Sequence, residues 1–299
     1  MTSTAAPDAS DALEFELKDL LELERLDTNL FRSSVNQPNH VNALFGGQML
    51  GQGLKAAALT MEDRKPHSLH AYFLLAGARD TPVIYDVEPT RDGGSFSTRR
   101  VVARQRGRTI FSMEVSFQRD EAGYEHDIAL EGDVPDPEQV KSIGELAKEF
   151  VEVMPPNAAR ALSRSRLVEI RPINPENFFL RKAPSSAGRY WMKAGEGLAA
   201  DALTHFAALA YLSDYFLTTT TMLQHADSLW AGKVMSASLD HALWFHRPTR
   251  VDDWLLVDAV SPFAGGARGF TRGQIFDKQR RLVASVAQEA LIRPLAPLK

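Results

Sequence analysis

Apolar positions along the chain alternate in two characteristic ways, and the same succession occurs twice. In the first half, an extended stretch from Leu26 to Val35 precedes FGGQMLGQGLKAAALTM (residues 45–61), where apolar residues and an Ala run predict a helix entered through Gly46-Gly47. Strands are predicted at 67–75, 82–90, 95–105 and 109–118. The last has Phe111, Met113, Val115 and Phe117 on one face and Ser112, Glu114 and Ser116 on the other. In the second half, a strand over Gly188 to Lys193 and a long helix over 201–223 precede strands near 234–245, 252–260, 267–276 and 281–293. Gly51 and Gly53 inside the first helix each cost about 1 kcal/mol relative to Ala, so something must pack very close to them, such as a sheet wrapping the helix.

The succession is a repeat. Sliding His70–Val87 by 171 positions lays it without gaps on His241–Asp258. With one inserted residue, Gly93-Gly94 falls on Gly265-Gly266 and the apolar run from Ile110 on the one from Leu282. Three blocks in one order argue for a duplicated domain of about 110–120 residues. The expected boundaries are a tail over 1–16, repeats over 17–118 and 186–299, and between them an acidic, Pro-dotted connection, 119–185, with one helical stretch near 137–152. Each repeat reads as a long helix against antiparallel strands, an α+β arrangement.

Composition narrows the chemistry. The chain has 299 residues, a net charge of −4 and a pI near 6.1, with no basic footprint for nucleic acid. It has no Cys, which removes a thiol nucleophile, a disulfide framework and thiolate-bound metal. The N-terminus MTSTAAPDASDALEFE lacks the basic start and apolar run of a signal peptide, no stretch approaches a membrane span, and the last residues are not Ser-Lys-Leu. A cytoplasmic protein acting on a small molecule is expected. His126-Asp127, His241 and His246 lack metal-ligand spacing, and no Gly-rich nucleotide loop or Gly-x-Ser-x-Gly elbow is present, so neither metal nor cofactor is called for.

Three polar residues stand in apolar places. Gln288, in LVASVAQEALIR, shares a strand face with Leu282, Ala284, Val286, Ala290 and Ile292. An unpaired amide there would cost a few kcal/mol, so it has a structural partner or a job. Asp214, in HFAALAYLSDYFLTTT, interrupts a helical stripe of Ala207, Ala210, Tyr211, Leu217 and Thr218, unless it sits at the stripe's wet edge. Ser238 shares a strand face with Ser236 and Asp240. By the repeat alignment the first half has His67 at the place of Ser238 and Ser116 at that of Gln288. Its helix has no carboxylate, Glu62 lying past the apolar portion, so the trio exists once. A carboxylate, a hydroxyl and an amide around one point can orient and partly deprotonate a water while donors polarise a carbonyl.

With these residues in view, the chain resembles the acyl-CoA thioesterase II family, the double-hotdog thioesterases of bacteria and peroxisomes. The resemblance spans roughly residues 17–293 and is carried by FGGQMLGQGL, HSLHAYFLLAG, IYDVEPTRDGGSFSTRRVVA, the SDYFL helix, SLDHALWFHRP, ARGFTRGQIFD and LVASVAQEALIR. It implies a double hotdog, two tandem repeats each wrapping a long helix in an antiparallel sheet. It also implies hydrolysis of fatty acyl-CoA to fatty acid and CoA, with Asp214, Ser238 and Gln288 orienting the water. Ser238 stands where many bacterial members have Thr. Direct attack by Asp214 is the other route that sequence leaves open. The Gly265-Gly266-Ala267-Arg268 turn and the Arg99-Arg100 pair are candidates to meet CoA phosphates. Relatives imply a homodimer or homotetramer. Two competing readings are a hydratase using Asp240 and His241, which point to opposite faces of a strand, and a non-catalytic acyl-CoA-binding module.

Overall fold

The computed structural model describes residues 15–39, 42–150, 152, 167–176, 187–225, 228 and 232–295. Most of the expected tail and much of the connection between the repeats lie outside the described residues. The first half runs α1 (Leu17–Leu21), β1 (Leu23–Asp27), β2 (Leu30–Ser33), α2 (Gly46–Ala58), β3 (Lys65–Phe73), β4 (Ile84–Asp92), β5 (Phe96–Gln105) and β6 (Arg108–Gln118). The connection contributes a 3-10 turn at Pro137–Gln139, α3 (Ile143–Glu149), started by a Ser142/Glu145 capping box, and β7 (Val168–Pro172). The second half continues with β8 (Ala187–Ala194), α4 (Ala202–Ser213), α5 (Leu217–Met222), β9 (Val234–Ser238), β10 (Asp240–Phe245), β11 (Leu255–Gly265), β12 (Arg268–Asp277) and β13 (Leu282–Pro294).

The strands form one antiparallel sheet in the order β1-β2-β4-β5-β6-β3-β10-β13-β12-β11-β8-β7, with β9 also on β13. The halves join edge to edge where β3 pairs with β10, from Tyr72 against Asp240 to Ser68 against Trp244. Each half thereby removes the other's exposed edge. The inner face of the sheet, with Leu69, Ala71, Met113, Val115, Leu243, Val286 and their neighbours fully buried, packs on the helices. This is the expected α+β double hotdog.

The two central helices run antiparallel and very close. A Cβ added at Gly47 would come 2.4 Å from the Tyr211 carbonyl oxygen, and one at Gly51 would come 2.9 Å from that of Ala207. Lys55 Nζ donates to Thr204 Oγ1 one turn further on (3.2 Å). Gly53 faces the sheet instead, where a Cβ would meet Met113 Cε at 2.8 Å. The expected close approach is therefore two approaches, a sheet on Gly53 and the other repeat's helix on Gly51. Gly51→Leu should destabilise the protein by about 1–3 kcal/mol, since an overpacked side chain must push the helices apart. Urea denaturation would show it; an unchanged midpoint would mean that the helices separate freely.

Three local expectations change. The strand over 26–35 is a hairpin, β1 and β2, turning at Thr28-Asn29. The helix over 201–223 breaks: Asp214 is the C-cap of α4, and Phe216, with φ 61°, stands in the left-handed region before α5. The strand over 234–245 breaks at Leu239, because Ser238 pairs with Ala290 while Ala242 pairs with Ala287, leaving one extra residue on this side. Such a bulge reverses the inside–outside alternation. The ladder of β3 with β6 has a matching irregularity between Pro66 and Ser68, and the 171-residue repeat register is one residue off in facing: it lays exposed His70 on His241, which is 1% exposed. Ser116 likewise projects on the side opposite Val115 and Phe117, where His67 Nε2 bonds its Oγ at 2.8 Å, so it is not the spatial counterpart of inward-facing Gln288.

Candidate active site

Asp214 is placed by the end of one helix and the beginning of another. Because α2 and α4 are antiparallel, the C-cap of α4 lies at the N-terminus of α2, and the Gly47 backbone N–H bonds the Asp214 carboxylate. A Cβ on Gly46 would sit 2.6 Å from Asp214 Oδ2, so only glycine lets the carboxylate this close to the backbone. The positive end of the α2 dipole favours the anion. Burial works against it and dominates: it pushes the Asp214 carboxyl up to about 7, opposed in turn by the Gly47, Ser238 and Gln288 hydrogen bonds. Such a carboxyl exchanges a proton at neutral pH, as a general base must.

Ser238 ends β9, and the bulge that follows lets its hydroxyl turn to the helices. Its Oγ donates to Asp214 Oδ1 at 3.5 Å, a long contact, and accepts from Gln288 Nε2 at 3.0 Å. Gln288 lies on the inner face of β13, 1% exposed, and its Nε2 also donates to Thr218 Oγ1 at 3.1 Å. Its Oε1 meets His241 Nδ1 at 2.6 Å, and His241 Nε2 in turn meets Ser213 Oγ at 2.9 Å. Burial pushes the His241 ring down to about 4, against the raising effect of its bond to Gln288, so the ring is neutral. Asp214, Ser238 and Gln288 are thus gathered from a helix end and two strands.

Thr218 and His241 are members of the cluster that residue-level reading did not assign. Thr218, four residues past Asp214, carried a signal as a hydroxyl on the same stripe. His241 entered only the hydratase reading, and its place beside Gln288 was not visible, because its inward direction depends on the bulge. Asp240, by contrast, accepts the Glu289 backbone N–H at 2.7 Å on its own side of the strand.

The other candidates lie elsewhere. Arg99 is buried at 5% exposure, its Nη1 on Asp92 Oδ1 (2.9 Å) and its Nε on Thr60 Oγ1 (3.0 Å). Arg100 faces outward toward Glu88, 3.9 Å away. Gly265, Gly266, Ala267 and Arg268 form the β11–β12 hairpin turn, with φ 58° at Gly266 and 60° at Ala267, as a two-residue primed turn requires. Arg268 is paired with Glu289 at 2.9 Å, and Glu289 leaves β13 on the face opposite Gln288. None of these groups joins the Asp214 cluster.

A crevice opens beside the cluster, walled by Ile170, Pro172, Tyr190, Phe216, Thr220 and Leu223. Burial and the neighbouring Asp214 charge raise the Tyr190 hydroxyl far above its ordinary value, and that hydroxyl donates to the Tyr215 carbonyl at 2.7 Å. Among the described residues, no three His, Asp or Glu side chains gather as metal ligands, and no helix is long and apolar enough to cross a membrane.

A doubled helix-in-sheet fold with a buried carboxylate, hydroxyls and an amide at one helix junction defines a class of hotdog hydrolase. The chain belongs to the acyl-CoA thioesterase family: residues 36–118 match its N-terminal domain and residues 137–292 its C-terminal domain. It is 38% identical to human acyl-coenzyme A thioesterase 8, over 92% of this chain and 88% of the relative. It is 34% identical to acyl-CoA thioesterase 2 of Haemophilus influenzae, covering 92% and 96% of the two chains. The crystal structure of the acyl-CoA thioesterase II TesB2 from Mycobacterium marinum superposes with a TM-score of 0.76 at 37% identity, covering 93% of this chain and 98% of that one.

Proposed function

We propose that the protein hydrolyses acyl-CoA thioesters to the free acid and CoA by means of a water held among Asp214, Ser238 and Gln288. The observation that carries this reading is the Asp214 carboxyl, buried at a helix N-terminus with its proton affinity raised to about 7, where the ionised form is a competent base at neutral pH. Ser238 and the Gln288 amide fix the water. At the start of α2 the Gly47 N–H is taken by Asp214 and the Gln48 N–H by the Phe45 carbonyl, so the Gly46 N–H, which no side-chain cap occupies, is the donor best placed for the thioester oxyanion.

Family membership and the single complete cluster favour hydrolysis over the two competing readings. A binding module has no need of a base, and Asp240 and His241 are committed to different partners, Glu289 and Gln288. The same reading includes association into a homodimer or homotetramer, for which the open sheet edges at β1 and β7 supply a physical motive.

Release of CoA thiol from short- to long-chain acyl-CoA esters, followed with a colorimetric thiol reagent, tests the assignment. Cleavage with turnover supports it, and binding without thiol release at any chain length refutes it. The rate should rise with pH through an inflection near 7, because the base acts only when Asp214 has lost its proton. A profile flat from pH 5.5 to 8.5 would remove Asp214 from the rate-determining chemistry.

A further inference from the structure

His241 is a buried imidazole with a task that hydrolysis itself does not assign. Its contacts are fixed at both nitrogens, Nδ1 on Gln288 Oε1 (2.6 Å) and Nε2 on Ser213 Oγ (2.9 Å). An amide oxygen only accepts hydrogen bonds, so Nδ1 must carry the proton of the neutral ring, and Nε2 offers a lone pair to the Ser213 hydroxyl. Ser213 has one hydroxyl proton and two acceptors in reach, His241 Nε2 and the Ala210 carbonyl at 2.8 Å. The choice it makes is linked to the tautomer. If Nε2 held the proton, Nδ1 would be bare and Gln288 would turn its amide over to donate to it. Oε1 would then face Ser238 and Thr218 and accept the Ser238 hydroxyl proton that otherwise points to Asp214.

We propose that His241 is a positioning residue: its Nδ1–H holds Gln288 Oε1 and thereby turns the Gln288 –NH2 toward Ser238 and Thr218. The chain of donors runs Ser213 to His241 to Gln288 to Ser238 to Asp214, with every proton directed toward the carboxylate. This rests on the reading that Asp214, Ser238 and Gln288 hold the attacking water. His241 touches neither water nor substrate, and it acts by fixing the orientation of an amide that has two nearly isosteric settings. The bulge at Leu239 is what aims the ring inward.

Two measurements test this. Nitrogen-15 NMR of histidine-labelled protein at pH 7, with the His241 signals assigned by their loss in His241→Asn, should show the proton on Nδ1; a proton on Nε2 overturns the proposal. In thiol-release kinetics, His241→Phe should lower kcat by about 10–100-fold with KM changed less than about twofold, the signature of a misplaced reacting group rather than lost binding. His241→Asn carries an amide N–H on the same Cγ that bears Nδ1, and should recover kcat to within about threefold of wild type. Wild-type kcat in His241→Phe, a change confined to KM, or equal losses in the Phe and Asn variants would each overturn it. Should Asp214→Asn keep full activity, the water-site reading fails separately, and the NMR result still decides the tautomer.

Discussion

Asp214→Asn should lose at least about two orders of magnitude in kcat, the contribution that general-base catalysis makes, while remaining folded. Asparagine keeps the shape of the carboxylate and an oxygen for the Gly47 N–H, so the α2–α4 junction is preserved and only the base is removed. The stability effect has a definite sign. Asp214 has a folded-state proton affinity raised to about 7, well above that of an exposed carboxyl, so ionising it costs stability as pH rises toward and past that value. The neutral variant should therefore melt above wild type at pH 8, with the gap closing as pH falls toward 5. Thiol-release kinetics and thermal melts at the two pH values check both halves. A variant as active as wild type would place the base elsewhere, and one that melts lower at pH 8 would mean that the Gly47 and Ser238 bonds outweigh burial.

Gln288→Leu should be nearly as damaging to the rate, about 100-fold, but with the opposite effect on stability. The substitution strips a donor from Ser238 and Thr218 and the acceptor from His241 Nδ1 at once. Each buried polar group left without a partner costs about 1–3 kcal/mol, so a loss of at least that size is expected in urea denaturation. Rate loss with unchanged stability would mean that water replaces the amide, and the network would then not depend on a single side chain. The pair of variants separates chemistry from folding: both lower the rate by about two orders of magnitude, and they shift stability in opposite directions.

Much of this was legible in the chain, for identifiable reasons. The period-two run around Phe111, Met113, Val115 and Phe117 predicted β6, and its second-half counterpart placed Gln288 on an inward face, because burial on one side of a sheet writes itself into every second residue. Asp214, Ser238 and Gln288 stood out as polar groups among apolar neighbours, which require partners. Arg99 was a different case. A guanidinium on a strand is the same residue type whether it meets a phosphate or, as here, a buried partner set of Asp92 and Thr60. The pairing with Thr60, 39 residues away in sequence, leaves no local trace.

The sequence by itself determined most of the elements, the doubling, the inward face of Gln288 and the residue types of the trio, since each depends on local period and on the cost of burying a polar group. Tertiary structure alone decided the rest. The break at Asp214 made a mid-helix residue into a C-cap, and the extra residue at Leu239 reversed the facing of His241. The antiparallel packing of α2 on α4 brought Gly46 and Gly47 of one repeat onto Asp214 of the other. A one-residue bulge and a helix–helix contact across more than 150 positions are too small and too distant, respectively, to alter a local pattern, yet they decide what surrounds the carboxylate.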